Sequence, residues 1–501
     1  MEFEFTNNPL NKISADAIVV FAFQNEKGKV KKIIPLESFS ATDKVLKGAL
    51  EKAAETSGFE AKRGEILNYF PQNGFLSQWI VALGLGKKSD FIADDLRRAS
   101  GLFAGRMKKK IQSVAMILPD VKELPLTGEL ISQAIAEGLL LGSYEFDKYR
   151  TKEEKGERDL STVIISNTGG SAVKQGIERA KIYAEGTILA RDLVNEPAAI
   201  ATPTYLADLA LSIAKKDKNI TCKVFGREEA EKMGMGAFLG IASASDTEPK
   251  FIHLEYNPGN QSGREKLAVI GKGITFDSGG INVKPGDHMQ DMKMDMSGAA
   301  IVLGVFSVIS RIKPKFPVLG IIAATPNLIS GKSIVPGDVV RALNGKTIEV
   351  LNTDAEGRVT MADSLSYAVN QKATRIIDFA TLTGACMVAL GTDITGLFSN
   401  NRDFAESIKR AAFEAGEKVW ELPLEKDYKD MNKSEVADIA NIPNSRYGGA
   451  LTAALFLEEF VDGKAWAHMD IAGPAFSAKT NDTGPKGGTG HGVRTVLNLL
   501  S

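Results

Sequence analysis

The sequence predicts an α/β protein: a smaller N-terminal α/β domain, a linking helix, and a larger C-terminal α/β domain with a mostly parallel central sheet. Three observations lead there. The chain has 501 residues, room for two to four domains at roughly 100–200 residues each. Short apolar runs alternate with stretches whose apolar residues recur every three or four positions. One long helical pattern without proline, residues 172–194, is closed by Asn195, Glu196 and Pro197 and can tie two domains together.

In chain order, residues 17–23, apolar throughout, and 79–85 read as buried strands, and 113–118 and 160–165 as shorter ones. Residues 44–54, 96–110 and 128–141 carry helical spacing. The charged stretch 148–159 reads as a solvated loop. The expected partition is an N-terminal domain over 1–165 serving assembly or regulation, a linker helix over 166–194, and a catalytic domain over 195–501. Thr202 and Pro203 open a further helix, a hydroxyl cap followed by a proline in the first turn. Strands are expected at 251–256, 267–271, 318–324, 375–379 and 465–471, with helices at 297–310, 361–370 and 450–461.

Composition narrows the function. Hydrophobic residues at 44% and charged residues at 25% are those of a globular protein, which excludes disorder and fibre. Sixty-one basic against 62 acidic residues leave a formal charge of −1, so no whole-chain field draws the protein to nucleic acid or an anionic membrane. Cys222 and Cys386 are too few for a disulfide framework or a four-thiolate zinc site, and they fit a reducing, cytoplasmic compartment. Glu2 and Glu4 stand where a secretory signal would be basic, and no apolar window is long enough for a membrane span.

Common catalytic signatures are missing. There is no nucleophile elbow and no H-E-x-x-H, and Pro326 replaces the first glycine that a phosphate loop ending in Gly331, Lys332 and Ser333 would need. His253, His288, His468 and His491 are scattered, without metal-ligand spacing. Three segments stand out instead. In residues 271–280, Lys272 and Asp277 are expected just past the end of a strand, where open α/β sheets bind ligands, with Lys284 soon after. Asp295, flanked by Met294 and Met296, enters a helix of small residues and is either a cap or a ligand. Asp354, Glu356 and Arg358 alternate, so an extended backbone would put them on one face. Four carboxylates buried together require neutralisation. Two divalent ions would balance them if Lys272 were neutral, leaving Lys284 and Arg358 positive for substrate oxygens.

At these residues the sequence resembles the leucyl aminopeptidase (cytosol aminopeptidase) family of dinuclear metallopeptidases. Residues 352–359 are similar to the family's signature Asn-Thr-Asp-Ala-Glu-Gly-Arg-Leu and depart from it only at Val359. Residues 271–280, Lys284 and 292–300 match in order and spacing, with further likeness at 195–207, 381–385 and 466–473. The resemblance implies that Lys272, Asp277, Asp295, Asp354 and Glu356 hold two divalent ions, Mn²⁺ or Zn²⁺, with Mg²⁺ or Co²⁺ tolerated. Asp277 and Glu356 would bridge them, Lys272 and Asp295 would complete the tighter site, and Asp354 the exchangeable one. A lysine ligand must be deprotonated, which implies activity favouring mildly alkaline pH. The two metals would activate a bridging water, Lys284 would stabilise the oxyanion, and Arg358 would hold a bicarbonate ion as general base. Met292, Thr381 and Gly384 resemble the positions that line the first side-chain pocket.

The implied function is release of N-terminal amino acids, preferably leucine and other apolar residues, from peptides with a free amino terminus, by a homohexamer. A second reading is DNA binding, which some bacterial members of the family combine with peptidase activity. It would rest on two basic runs, Lys27, Lys29, Lys31 and Lys32, and Arg106, Lys108, Lys109 and Lys110. A two-metal phosphoesterase would use the same ligands, but a lysine among them points to peptides. Cys386 has no basic neighbour in sequence and is expected to be a small buried residue, and His288 is given no role.

Overall fold

A computed structural model gives the fold and describes residues 1–26, 33–151, 159–166, 170–259 and 265–501. It divides into two compact units, Met1–Ala184 with Lys479–Lys486, and Glu185–Ala478 with Gly487–Ser501.

The first unit is built on a seven-stranded sheet in the order Glu2–Thr6, Thr162–Ser166, Ser113–Met116, Ala17–Gln24, Trp79–Lys87, Ile66–Tyr69, with Ile33–Pro35 beside Ala17–Gln24. Successive side chains of a strand point to opposite faces. In Ala17–Gln24 both faces are covered: Val19, Phe21 and Phe23 join one core with Phe103 and Leu139, while Ile18, Val20 and Ala22 join another with Phe39 and Leu50. Two-sided burial explains the uninterrupted apolar run. The helix expected over 44–54 is a correction: it is two helices, Glu37–Val45 and Ala49–Ser57, separated where Lys47 and Gly48 take φ of 54° and 85°. Periodicity alone does not register such a left-handed break.

The second unit carries an eight-stranded sheet in the order Val419–Glu421, Thr395–Ser399, Ala465–Asp470, Arg375–Ala380, Leu267–Asp277, Val318–Asn327, Lys250–Tyr256, Ile220–Phe225. The four strands from Ala465–Asp470 to Val318–Asn327 run parallel, so their carboxyl ends share one edge. The outer pairings of Thr395–Ser399, Lys250–Tyr256 and Ile220–Phe225 are antiparallel to their inward neighbours. The helix Ser297–Phe306 is buried along its length and lies directly on this sheet. Only glycine permits that approach: a Cβ at Gly271 would come 2.2 Å from the Gly298 carbonyl oxygen, and one at Gly298 2.1 Å from that of Phe379. The stretch 297–310, expected as one helix, is broken into Ser297–Phe306 and Ile309–Ile312. A small third sheet pairs Asp338–Arg341 with Thr347–Val350, and Thr347–Val350 in parallel with Ile439–Ala440. The long helix Ser171–Asn195 and the capped helix Pro203–Lys216 form as expected, the latter with Thr202 accepting from the Tyr205 amide. Among the described residues no helix is long and apolar enough to cross a membrane.

Candidate metal centre

The site lies along the shared carboxyl edge. Lys272 and Asp277 were expected beyond a strand ending at residue 271, but the strand runs on to Asp277, with Lys272 inside it and Asp277 as its last residue. The reason is register: Leu267–Ile274 pairs continuously with Val318–Thr325, and after a bulge Asp277 pairs with Asn327. A bulge re-aims the side chains that follow it, and here Asp277 is the residue that follows. There Asn327 Nδ2 donates to Asp277 Oδ1 at 2.8 Å, and the Gly279 amide does so at 2.9 Å. Asp277 Oδ2 faces Lys284 Nζ at 2.8 Å.

Asp295 sits in the 3-10 turn Met292–Met296, and its side chain does not cap the following helix. Its Oδ1 instead receives Lys272 Nζ at 2.7 Å and the Thr381 hydroxyl at 2.6 Å. Lys272 Nζ also lies 2.8 Å from Glu356 Oε1 and donates to the Thr381 carbonyl at 3.2 Å.

The third segment is not extended. The helix Glu356–Asn370 begins at Glu356, so Asp354 precedes it while Glu356 and Arg358 occupy its first turn. Alternation along a strand is therefore not what brings them together. The turn 352–355 folds back on itself, with the Asp354 amide donating to Asn352 Oδ1 at 2.8 Å, and this carries Asp354 Oδ1 to 2.6 Å from Lys284 Nζ. One oxygen each of Asp277, Asp354 and Glu356 lie within 4.8 Å of one another.

Charge is unbalanced here. Four carboxylates, Asp277, Asp295, Asp354 and Glu356, face the ammonium groups of Lys272 and Lys284. Burial, with the charge of Asp277 beside it, holds Asp295, Asp354 and Glu356 above the usual carboxylate range despite the lysines. Burial pulls Lys272 down, but Asp295, Glu356 and Asp277 outweigh it and raise its pKa. Asp295 Oδ2 is buried and accepts no hydrogen bond, while Asp354 Oδ1 and Glu356 Oε1 have only the lysine ammonium groups as partners. Oxygen donors in excess of the protons offered to them are what hard divalent cations require, so these residues fit such ions.

Arg358 is buried; it donates to the Asn441 carbonyl at 2.9 Å, and its Nε has no partner. Burial lowers its pKa to about 10. Among the expected pocket residues, Thr381 spends its hydroxyl on Asp295, Met292 is half-buried, and a Cβ at Gly384 would meet nothing within 4 Å. Burial pushes the Cys386 thiol up to about 12, which leaves it unreactive. His253 and His468 pair with Tyr367 and Asp378, His491 with Thr395, and His288 is exposed.

Sequence reasoning passed over Asn327 and Asn441, and included Thr353 and Asp470 within motifs without giving them a role. Asn327 had a signal, since it ends a strand at the same edge as Asp277. Asp470 also ends a strand, and it accepts from the Thr383 hydroxyl at 2.7 Å, holding the turn that presents Thr381. Asn441 had none, lying in a stretch without periodicity.

Four acids facing two lysines at the carboxyl edge of a parallel sheet make a site suited to divalent cations, the kind a metallohydrolase uses. The profile of the cytosol aminopeptidase family, catalytic domain, matches residues 188–497, and that of its N-terminal domain matches residues 19–153. A probable cytosol aminopeptidase of Aquifex aeolicus is 43% identical over all of this chain and 98% of its own length. The structure of a tomato leucine aminopeptidase mutant superposes with a TM-score of 0.86 at 35% identity, covering 100% of this chain and 96% of that one. The bottromycin maturation enzyme BotP in complex with Mn gives 0.84 at 31% identity, covering 97% and 99%. The chain belongs to the cytosol aminopeptidase family. Its activity is that of a metal-dependent aminopeptidase, a hydrolase that removes residues from the amino terminus. DNA binding finds no support among the described residues: Lys108 and Lys109 pair with Glu145 at 3.4 and 3.1 Å. The run of Lys27, Lys29, Lys31 and Lys32 lies outside the described residues.

Proposed function

We propose that this chain releases leucine and other apolar residues from peptides with a free amino terminus, using two divalent ions held by Lys272, Asp277, Asp295, Asp354 and Glu356. The observation that carries this reading is the convergence of one oxygen each from Asp277, Asp354 and Glu356 within 4.8 Å, beside a buried Asp295. Mn²⁺ and Zn²⁺ suit the donor set, and Mg²⁺ and Co²⁺ are tolerated by it. When bound, the ions supply an activated water and draw electron density from the scissile carbonyl.

The chain's own residues do the rest. Asp295 Oδ2, which accepts no hydrogen bond, is the acceptor for the substrate's amino group, so an acylated terminus lacks this anchor. Lys284, bonded to Asp277 and Asp354 and partly open to solvent, donates to the carbonyl oxygen as negative charge builds on it. Arg358 remains charged at neutral pH, and its unpartnered Nε suits a bicarbonate ion, whose chemistry there is that of a general base. Met292, Thr381 and Gly384 bound the space for the first side chain. Nothing lies within 4 Å of a Cβ at Gly384, so the glycine does not crowd that space. We assign catalysis to residues 195–501 and assembly or regulation to 1–165, in a cytoplasmic homohexamer.

The test is hydrolysis of leucine p-nitroanilide with Mn²⁺, beside N-acetyl-leucine p-nitroanilide and the Asp354→Ala variant. Cleavage of the free amine alone, abolished by the variant and by chelator, is the expected result. Folded, Mn²⁺-loaded protein that is inert on this substrate and on a panel of dipeptides would refute it.

A further inference from the structure

We infer that Asn441 is the positioning residue of the turn that carries Asp354 and leads into the helix start bearing Glu356 and Arg358. It sits 83 residues beyond Arg358 in sequence and is wholly buried. The parallel pairing of Ile348 with Ile439 and Glu349 with Ala440 brings it there, and its amide extends the ladder to the Glu349 carbonyl at 2.9 Å.

Its carboxamide is spent entirely on that loop. Oδ1 accepts from the amides of Leu351 at 2.8 Å and Asn352 at 3.2 Å. Nδ2 donates to the carbonyls of Asn352 at 2.7 Å and Ala355 at 3.3 Å. Two acceptor contacts on one atom and two donor contacts on the other fix the amide's orientation, since a flip would set four like groups against each other. The same residue's carbonyl takes the Arg358 guanidinium at 2.9 Å. Asn441 therefore grips the turn bearing Asp354 at both ends and sets Arg358 relative to it. The guanidinium contact is made by the main chain and survives substitution, so what the variants remove is the carboxamide's hold on residues 351–355. Groups that orient metal ligands from behind typically change metal affinity or turnover by about 10- to 100-fold when altered.

This inference rests on the metal-dependent reading above and deepens it. The test uses the full-length protein with Asn441→Asp, which keeps the shape and the Oδ1 acceptor but loses both Nδ2 donations, and Asn441→Ala. Three quantities are measured: Mn²⁺ affinity by titration calorimetry, kinetics on leucine p-nitroanilide, and hydrogen exchange of residues 351–358. The expected result is Mn²⁺ affinity lower by about 10-fold and kcat lower by about 30-fold, with KM little changed, in protein of native circular dichroism. Exchange should quicken in 351–358 and not in the strand Leu267–Asp277. Folded variants with wild-type Mn²⁺ affinity and kcat overturn the proposal. Should both variants fail to fold, the wild type decides: Leu351 and Asn352 amides exchanging as slowly as that central strand uphold it, and exchange at exposed-loop rates overturns it. Asp354→Ala is run alongside. If it too leaves Mn²⁺ binding and turnover intact, the metal reading fails, and Asn441 has no ligand to position.

Discussion

The backbone of Gly357 passes so close to Lys272 that a Cβ there would lie 2.5 Å from its Cε and 2.7 Å from its Nζ. A free lysine tip would swing away, but this one is held by Asp295, Glu356 and the Thr381 carbonyl. Gly357→Ala must therefore displace the amine from the site. The expected outcome is a loss of roughly 100-fold in kcat/KM, the scale of a 1 Å misplacement, with a lowered thermal midpoint, since overpacking a buried site costs about 1–3 kcal/mol. A variant of wild-type activity would show that the Lys272 amine is not needed where it lies. Steady-state kinetics beside calorimetry separate the two outcomes.

Metal removal should be visible in stability without any substrate. A ligand at 100 times its Kd stabilises the fold by about 2.7 kcal/mol, a shift of about 5 °C in a domain of this size. Chelator-treated protein is expected to melt lower by about that amount and to recover with Mn²⁺. In Asp354→Ala the Mn²⁺-induced shift should shrink, because one of the three converging oxygens is gone. Differential scanning fluorimetry with a Mn²⁺ titration reads this directly, and an unchanged shift in the variant would remove Asp354 from the ligand set.

His468 supplies a pH dependence in which none of the metal ligands is a partner. Its Nδ1 lies 2.6 Å from Asp378 Oδ1, and Trp466 Nε1 donates to the other oxygen at 2.7 Å, all three residues being wholly buried. Burial pushes the imidazolium down, but Asp378 and then Asp470 outweigh it, so its pKa lies above the ordinary 6.5. The fold holds this proton more tightly than the unfolded chain does. Its stabilisation is complete below about pH 6.5 and drains away as pH rises through the folded-state pKa. His468→Gln keeps a donor but no charge, and should cost about 3 kcal/mol at pH 6 and less at pH 9. Urea unfolding of both proteins at the two pH values tests it; an equal cost at both would mean the ring is neutral in the fold.

Much of the fold was legible because its signals are local. Two-sided burial writes itself as the apolar run at Ala17–Gln24, and a hydroxyl before a proline announces the helix Pro203–Lys216. Breaks were harder to see. The left-handed Lys47 and Gly48 interrupt a pattern that periodicity reads as continuous, and the bulge before Asp277 lengthens a strand whose apolar run ends earlier. The helical start at Glu356 was hidden because Asp354 and Arg358 alternate as a strand would.

The sequence by itself determined the α/β class, the chemistry of the carboxylates and lysines, and the family, since residue type, spacing and the 352–359 motif are carried by contiguous stretches. Only the tertiary structure decided which groups meet. Lys272 reaches Glu356 and Asp295 because the helix Glu356–Asn370 and the turn Met292–Met296 pack against its strand, and Asn441 reaches Leu351 because a two-residue strand pairs with Thr347–Val350. Such contacts join segments tens of residues apart, and nothing in the neighbours of Asn441 along the chain encodes the partner that sheet register brings to it.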